Sequence, residues 1–164
     1  MKKLLLALAL FLSTSCYADT NFGDWVVVTV DNNVIARTTN GDSETTGVFC
    51  SADGSACEPY VILNNECPTN KKTILLANTS EGVFSVTTTC ELLGNYHLNV
   101  FDAADKDNIV NTFIGGQPFG FALALRDGIF KSTRFSGIGA KNALEEAMKL
   151  RNKKVKNKKD TYEF

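Results

Sequence analysis

The 164-residue sequence is poor in the side chains that most often carry chemistry, with one histidine, His97, and one tryptophan, Trp25. His97 sits in the strand-like run NYHLNV, and without a second histidine it is a poor base for a triad or nucleus for a metal site. No GxSxG elbow surrounds Ser132 or Ser136. The glycine-rich stretches SGIGAK and FIGGQPFG lack a complete phosphate-loop spacing and read as turns and close packing. The acidic run DAADKDNIV, with Asp102, Asp105 and Asp107, lacks the glycine and terminal glutamate of a calcium loop and reads as a solvated loop. Nothing in the sequence assembles a nucleophile, a base and an oxyanion site. The expectation is a protein that is not an enzyme and needs no cofactor.

Long apolar runs are also missing, with one exception. MKKLLLALALFLSTSCYA opens with Lys2 and Lys3, continues with the uncharged run Leu4 to Leu12, and ends in small and polar residues. The apolar run is about half of what a spanning helix requires, so the stretch reads as a secretory signal peptide, residues 1–18. Cleavage between Ala18 and Asp19 fits the small residues Cys16 and Ala18. The rival, lipoprotein processing at Cys16, is opposed by Ser13, where a lipobox wants leucine. Such a chain is expected to be soluble after cleavage, in a bacterial periplasm or secreted.

Removal of that segment leaves four cysteines, Cys50, Cys57, Cys67 and Cys90, in an oxidising compartment, where they read as two disulfides. The spacing of Cys50 and Cys57 is too long for a CxxC zinc knuckle or redox pair, and a metal would need the other two cysteines or His97. If Asp53-Gly54 is a two-residue hairpin turn, Cys50 faces Cys57 and Cys67 is left to pair with Cys90. Four cysteines allow three connectivities, and the crossed ones remain open at this point.

The chain itself is rich in strand signals. DWVVVTV and VIARTT flank Asp31-Asn32-Asn33; TGVFC and CEPYVIL flank the Asp53-Gly54 loop; KTILLA and VFSVTTTC flank NTSEG. YHLNVF and NIVNTFI follow, and FGFALAL and IFKSTRF flank Arg126-Asp127-Gly128. Turn residues every 8–12 positions predict an all-β domain, an antiparallel sandwich or barrel of about 9–10 strands. Ile138, Ala143, Leu144, Ala147 and Leu150 recur at helical spacing and predict one C-terminal helix. The domain thus spans 19–150, and 151–164 reads as a basic, disordered tail.

Charge is divided unevenly. Residues 19–148 hold 8 basic and 16 acidic side chains, whereas 149–159 hold seven basic ones. These are Lys149, Arg151, Lys153, Lys154, Lys156, Lys158 and Lys159. They suit a solvated helix end, where cations oppose the helix dipole. The sharper reading is a contact with anionic lipid or lipopolysaccharide. Nucleic acid is not expected, since the tail lacks interleaved aromatics.

Two stretches resemble the invasion-associated locus B family of exported bacterial proteins. Phe22, Gly23, Asp24 and Trp25 are similar to its F-G-D-W opening. Phe135, Ser136, Gly139, Ala143, Ala147 and Met148 are similar to its closing F-S-x-x-G-x-x-A-A segment. The resemblance implies a β-rich periplasmic domain without known enzymatic activity. The function expected is a binding protein for an envelope or host protein. The alternative is a small secreted hydrolase inhibitor, like the β-barrel inhibitors of lysozyme, that presents the loop SADGSA or RDG.

Overall fold

The computed structural model describes residues 19–64, 67–125 and 128–160. Residues 1–18, which carry the expected signal peptide and the Ala18 side of its cleavage site, lie outside the described residues, as does most of the Arg126-Asp127-Gly128 turn.

The strands are β1 (Thr20–Phe22), β2 (Trp25–Val30), β3 (Asn33–Thr39), β4 (Thr45–Cys50) and β5 (Cys57–Ile62). After them come β6 (Lys72–Thr79), β7 (Gly82–Leu93), β8 (Tyr96–Phe101), β9 (Phe119–Ala124) and β10 (Phe130–Phe135). All pairings are antiparallel, in one ten-stranded sheet of order β1-β2-β3-β4-β5-β8-β7-β6-β9-β10. The β2–β3 hairpin turns through Asp31 (φ 48°) and Asn32 (φ 67°), the doubly left-handed geometry that matches strand twist.

The sheet is not closed into a barrel by its ladder. It curls until strands distant in the sheet meet through side chains. Phe101 on β8 lies 5.2 Å from Phe121 on β9, although β7 and β6 separate them in the sheet. The Asn40 side-chain amide donates to Thr133 Oγ1 on β10 at 2.8 Å, and Lys131 on β10 pairs with Glu44 at 2.7 Å. Both Asn40 and Glu44 lie in the β3–β4 connection. One core fills the interior, from Trp25, Val27, Val34 and Ala36 across to Phe119, Phe121 and Phe135.

Two helices complete that core. The first, α1 (Lys106–Ile114), replaces the strand expected at 108–114 and half of the expected acidic loop. Ile109 and Phe113, four apart, are both fully buried, and Phe113 touches Trp25 and Phe119. That helical spacing outweighs the β-propensity of Ile-Val-Thr-Phe. Asp105 does not cap α1 through its side chain but accepts from the Thr87 N–H at 2.8 Å. The second helix, α2 (Ala140–Asp160), runs ten residues past the expected end at 150, so 151–160 is helix rather than disordered tail. Its buried Ala140, Ala143, Leu144 and Ala147 face β1 to β4 and α1. Methyl-sized side chains let the helix approach the sheet closely.

Candidate functional site

The two short motifs at opposite ends of the chain form one structural clasp. Gly23 (φ 59°) and Gly139 (φ 89°) take left-handed backbone conformations. A Cβ on Gly139 would overlap the Phe22 carbonyl, and one on Gly23 would press on the Ile138 backbone. The Asp24 N–H donates to the Ile138 carbonyl at 3.1 Å, and Trp25 Nε1–H donates to the Ser136 carbonyl at 2.8 Å. Phe22-Gly23-Asp24-Trp25 and Phe135-Ser136 with Gly139 therefore hold each other, and Trp25 is 1 % exposed. These residues shape the fold rather than a reactive centre.

Disulfides join Cys50 to Cys57 and Cys67 to Cys90. The turn between the first pair differs from a two-residue Asp53-Gly54 loop. The Gly54 N–H bonds the Ser51 carbonyl and the Ser51 N–H bonds the Ala56 carbonyl, so the turn is Ser51–Gly54 within a four-residue loop. Asp53 sets it there, because its Oδ1 accepts from the Ser51 hydroxyl and from the Ser55 N–H and hydroxyl. With Ser51 and Ala56 bonded, Cys50 and Cys57 become a non-hydrogen-bonded pair, their Cα atoms 4.0 Å apart.

That loop is also where the basic helix end docks. Arg151 donates to the Gly54 carbonyl, Val155 packs on Gly54, and Lys154 donates to the Asn32 carbonyl at 3.1 Å. Partial burial pulls the Lys154 ammonium below its ordinary range. Lys149 pairs with Glu146 at 3.1 Å, while Lys153 is exposed. The side chains of Lys156, Lys158 and Lys159 lie outside the described residues. The expected cationic patch thus divides: Arg151 and Lys154 bind the fold's own carbonyls, and Lys153 faces solvent.

A groove that sequence reasoning did not single out crosses the outer face of β2, β3, β4, β5 and β8. Its volume is about 480 Å³. Val28, Ile35, Phe49, Tyr60, Ile62 and Leu98 supply a mostly hydrocarbon lining, and the β7–β8 turn with Tyr96 forms one wall. Cross-strand register places Arg37 next to Gly47 and Gly47 next to Tyr60. A Cβ on Gly47 would overlap the Ala36 carbonyl, so only glycine fits between Arg37 and Tyr60, and both of these line the groove. Burial pushes the Tyr60 phenol well above its usual range, a shift that Arg37 opposes. Arg37 is exposed and has no ion-pair partner among the described residues. One sequence signal does point here: WVVVTV and YVIL are apolar at successive positions, although an antiparallel sheet with one wet face should alternate. Two more polar clefts, of about 470 and 720 Å³, open around Ser80, Gln117 and Pro118.

Comparison with protein-family models and with curated proteins finds no match for the sequence. Among solved structures the fold is similar to that of invasion associated protein B from Bartonella henselae. The two chains are 16 % identical, with a TM-score of 0.57 over 82 % of this chain and 99 % of that one. At that identity the likeness establishes a shared fold.

Proposed function

We propose that this is an exported, non-enzymatic binding protein of invasion-associated-B-like fold, acting in the periplasm or after secretion. Its binding surface is the outer groove. The occupant is a segment of an envelope or host protein that presents a carboxylate among apolar side chains. The observation that carries this reading is Arg37, a guanidinium beside an apolar floor with no ion-pair partner among the described residues. Arginine and tyrosine dominate protein-binding hot spots, because a guanidinium grips a carboxylate in two places and a tyrosine ring covers large area at little entropic cost. A volume of about 480 Å³ suits a few anchoring side chains. Two disulfides and the fold's likeness to an invasion associated protein support a location outside the cytoplasm.

Selection from a displayed peptide library tests the proposal. Binders should combine an acidic residue with large apolar ones and weaken as salt rises. Arg37→Glu should reduce their affinity about a hundredfold, as expected when a desolvated charge pair becomes a repulsion, while thermal unfolding stays unchanged. Binding indifferent to Arg37→Glu would overturn the assignment. So would a fluorescent fatty acid that occupies the groove and displaces every selected peptide, since the occupant would then be a lipid.

A further inference from the structure

The lone histidine is not isolated in space. β7 and β8 pair with Cys90 opposite Asn99 and Leu92 opposite His97, so Cys90 and His97 are diagonal neighbours on one face of the sheet. His97 Nδ1 lies 3.9 Å from Cys90 Sγ. Cys67 arrives from the β5–β6 connection, which is held against β7 by the Asn70 N–H on the Cys90 carbonyl and the Cys90 N–H on the Lys71 carbonyl. One ligand atom each from Cys67, Cys90 and His97 falls within 4.8 Å of the others. Cys67 and Cys90 are buried and His97 is half-buried.

We propose that Cys67, Cys90 and His97 form a latent zinc site, closed while the two sulfurs are bonded and opened when a dithiol reduces them. In the first step the dithiol becomes a cyclic disulfide, and its two electrons and two protons leave Cys67 and Cys90 as thiols. In the second, one zinc ion takes both sulfurs as thiolates and the Nδ1 lone pair of neutral His97, and two protons pass to solvent. Water completes the fourth position. Zinc is the ion of choice because a tetrahedral set of soft sulfur and imidazole donors suits it.

The geometry asks for little movement. With zinc bonds of about 2.0–2.3 Å, tetrahedral ligand atoms sit roughly 3.5–3.8 Å apart. Nδ1 already stands at 3.9 Å from Cys90 Sγ. The sulfurs, 2.02 Å apart in the bridge, must separate by rotation about their side-chain bonds. Two thiolates neutralise the dication, so the filled site is uncharged, which a buried position favours. The Cys67 carbonyl oxygen lies 3.0 Å from Cys90 Sγ. A bonded sulfur has no proton to donate to it, but the reduced thiol does, and this hydrogen bond is given up when zinc takes the sulfur as a thiolate.

The experiment uses the mature chain with Cys50→Ser and Cys57→Ser, so that one cysteine pair remains. It is reduced with dithiothreitol, desalted without oxygen, and titrated with cobalt(II) and then zinc against a chromophoric chelator. Circular dichroism is recorded throughout. One metal per reduced chain is expected, with thiolate-to-cobalt charge transfer and tetrahedral d–d bands, and none for the oxidised chain. His97→Ala should weaken binding about tenfold or more and alter the cobalt spectrum. If reduction loosens the fold, zinc should restore it in the parent and not in His97→Ala. Absence of binding, equal binding by His97→Ala, or equal binding by the oxidised chain would overturn the site.

Discussion

Glu44 ties the β3–β4 connection to β10 at the end of the curled sheet, and its removal is the most direct test of that architecture. Its side chain is 2 % exposed and pairs with Lys131 on β10 at 2.7 Å. Its carboxylate also accepts from the Asn64 N–H at 3.1 Å and lies 3.4 Å from the Asn40 amide. Burial pushes the Glu44 carboxyl up, but Lys131, Thr133 and the Asn64 N–H together outweigh it and hold the group below its ordinary value of 4.5. Glu44→Gln keeps the shape and one acceptor while removing the charge. Hydrogen bonds to a charged group contribute about 1.5–3 kcal/mol, and Lys131, 30 % exposed, recovers part of its hydration when the partner is lost. A loss of roughly 2 kcal/mol is therefore expected near pH 7, by urea denaturation followed with Trp25 fluorescence. A carboxyl whose folded-state value is depressed stabilises above its unfolded value and loses that contribution as pH falls through the folded one. The gap between parent and variant should thus be full at neutral pH and shrink below about 4.5. Asp102, held low chiefly by the Lys72 ammonium, responds in the same direction, but it is present in both proteins and cancels. A gap below about 0.5 kcal/mol at pH 7, or one that widens on acidification, would refute the role given to Glu44.

Gly139→Ala should cost about 3 kcal/mol or more, because the methyl group meets the Phe22 carbonyl and the left-handed backbone is unfavourable to alanine; a melting temperature within a degree of the parent would show that the clasp is not close-packed. Ending the chain at Asn152 removes the Val155 contact with Gly54 and the Lys154 bond to Asn32. A loss of about 1–2 kcal/mol is expected, and unchanged stability would return 153–160 to the status of a solvated tail. The same truncation leaves Arg151 in place, so any salt-sensitive adsorption to anionic vesicles that it abolishes belongs to Lys153 and the residues beyond. Cys50→Ser with Cys57→Ser should lower stability by about 1–3 kcal/mol, less than loss of the Cys67–Cys90 bridge, whose loop is longer; the reverse order, read by chemical denaturation, would contradict it.

Local chemistry made much of the sheet legible. Runs of valine, threonine and phenylalanine between turn residues mark the strands, since β-branched and aromatic side chains suit a pleated surface. Asp31-Asn32 marks a tight hairpin because both residues tolerate a left-handed backbone. The alanines of α2 stand at helical spacing, and that periodicity is a property of the chain alone. The α1 segment misleads because its nine residues carry β-branched and aromatic side chains, and only the burial of Ile109 and Phe113, the latter against Trp25, selects helix over strand. Asp53 shifts the turn at the first disulfide by one residue, because its carboxylate satisfies Ser51 and Ser55 together, a choice made among three side chains rather than by a dipeptide. The basic run shows the same division. Its charge is plain in the sequence, but the helix persists to Asp160 where Arg151, Lys154 and Val155 find the β2–β3 and β4–β5 turns to rest on.

The sequence by itself determined most of the strands, the closing helix, the two glycine-bearing motifs and the scarcity of catalytic side chains, because each follows from local preference or from composition. Only the tertiary structure decided that the motifs clasp each other and that Glu44, between β3 and β4, reaches the last strand of one open sheet. It alone brings Arg37 across from Tyr60 and sets His97 beside Cys90. Each of these rests on strand order and register, and register is settled by which faces are buried together, a property of the whole folded chain that no short stretch contains.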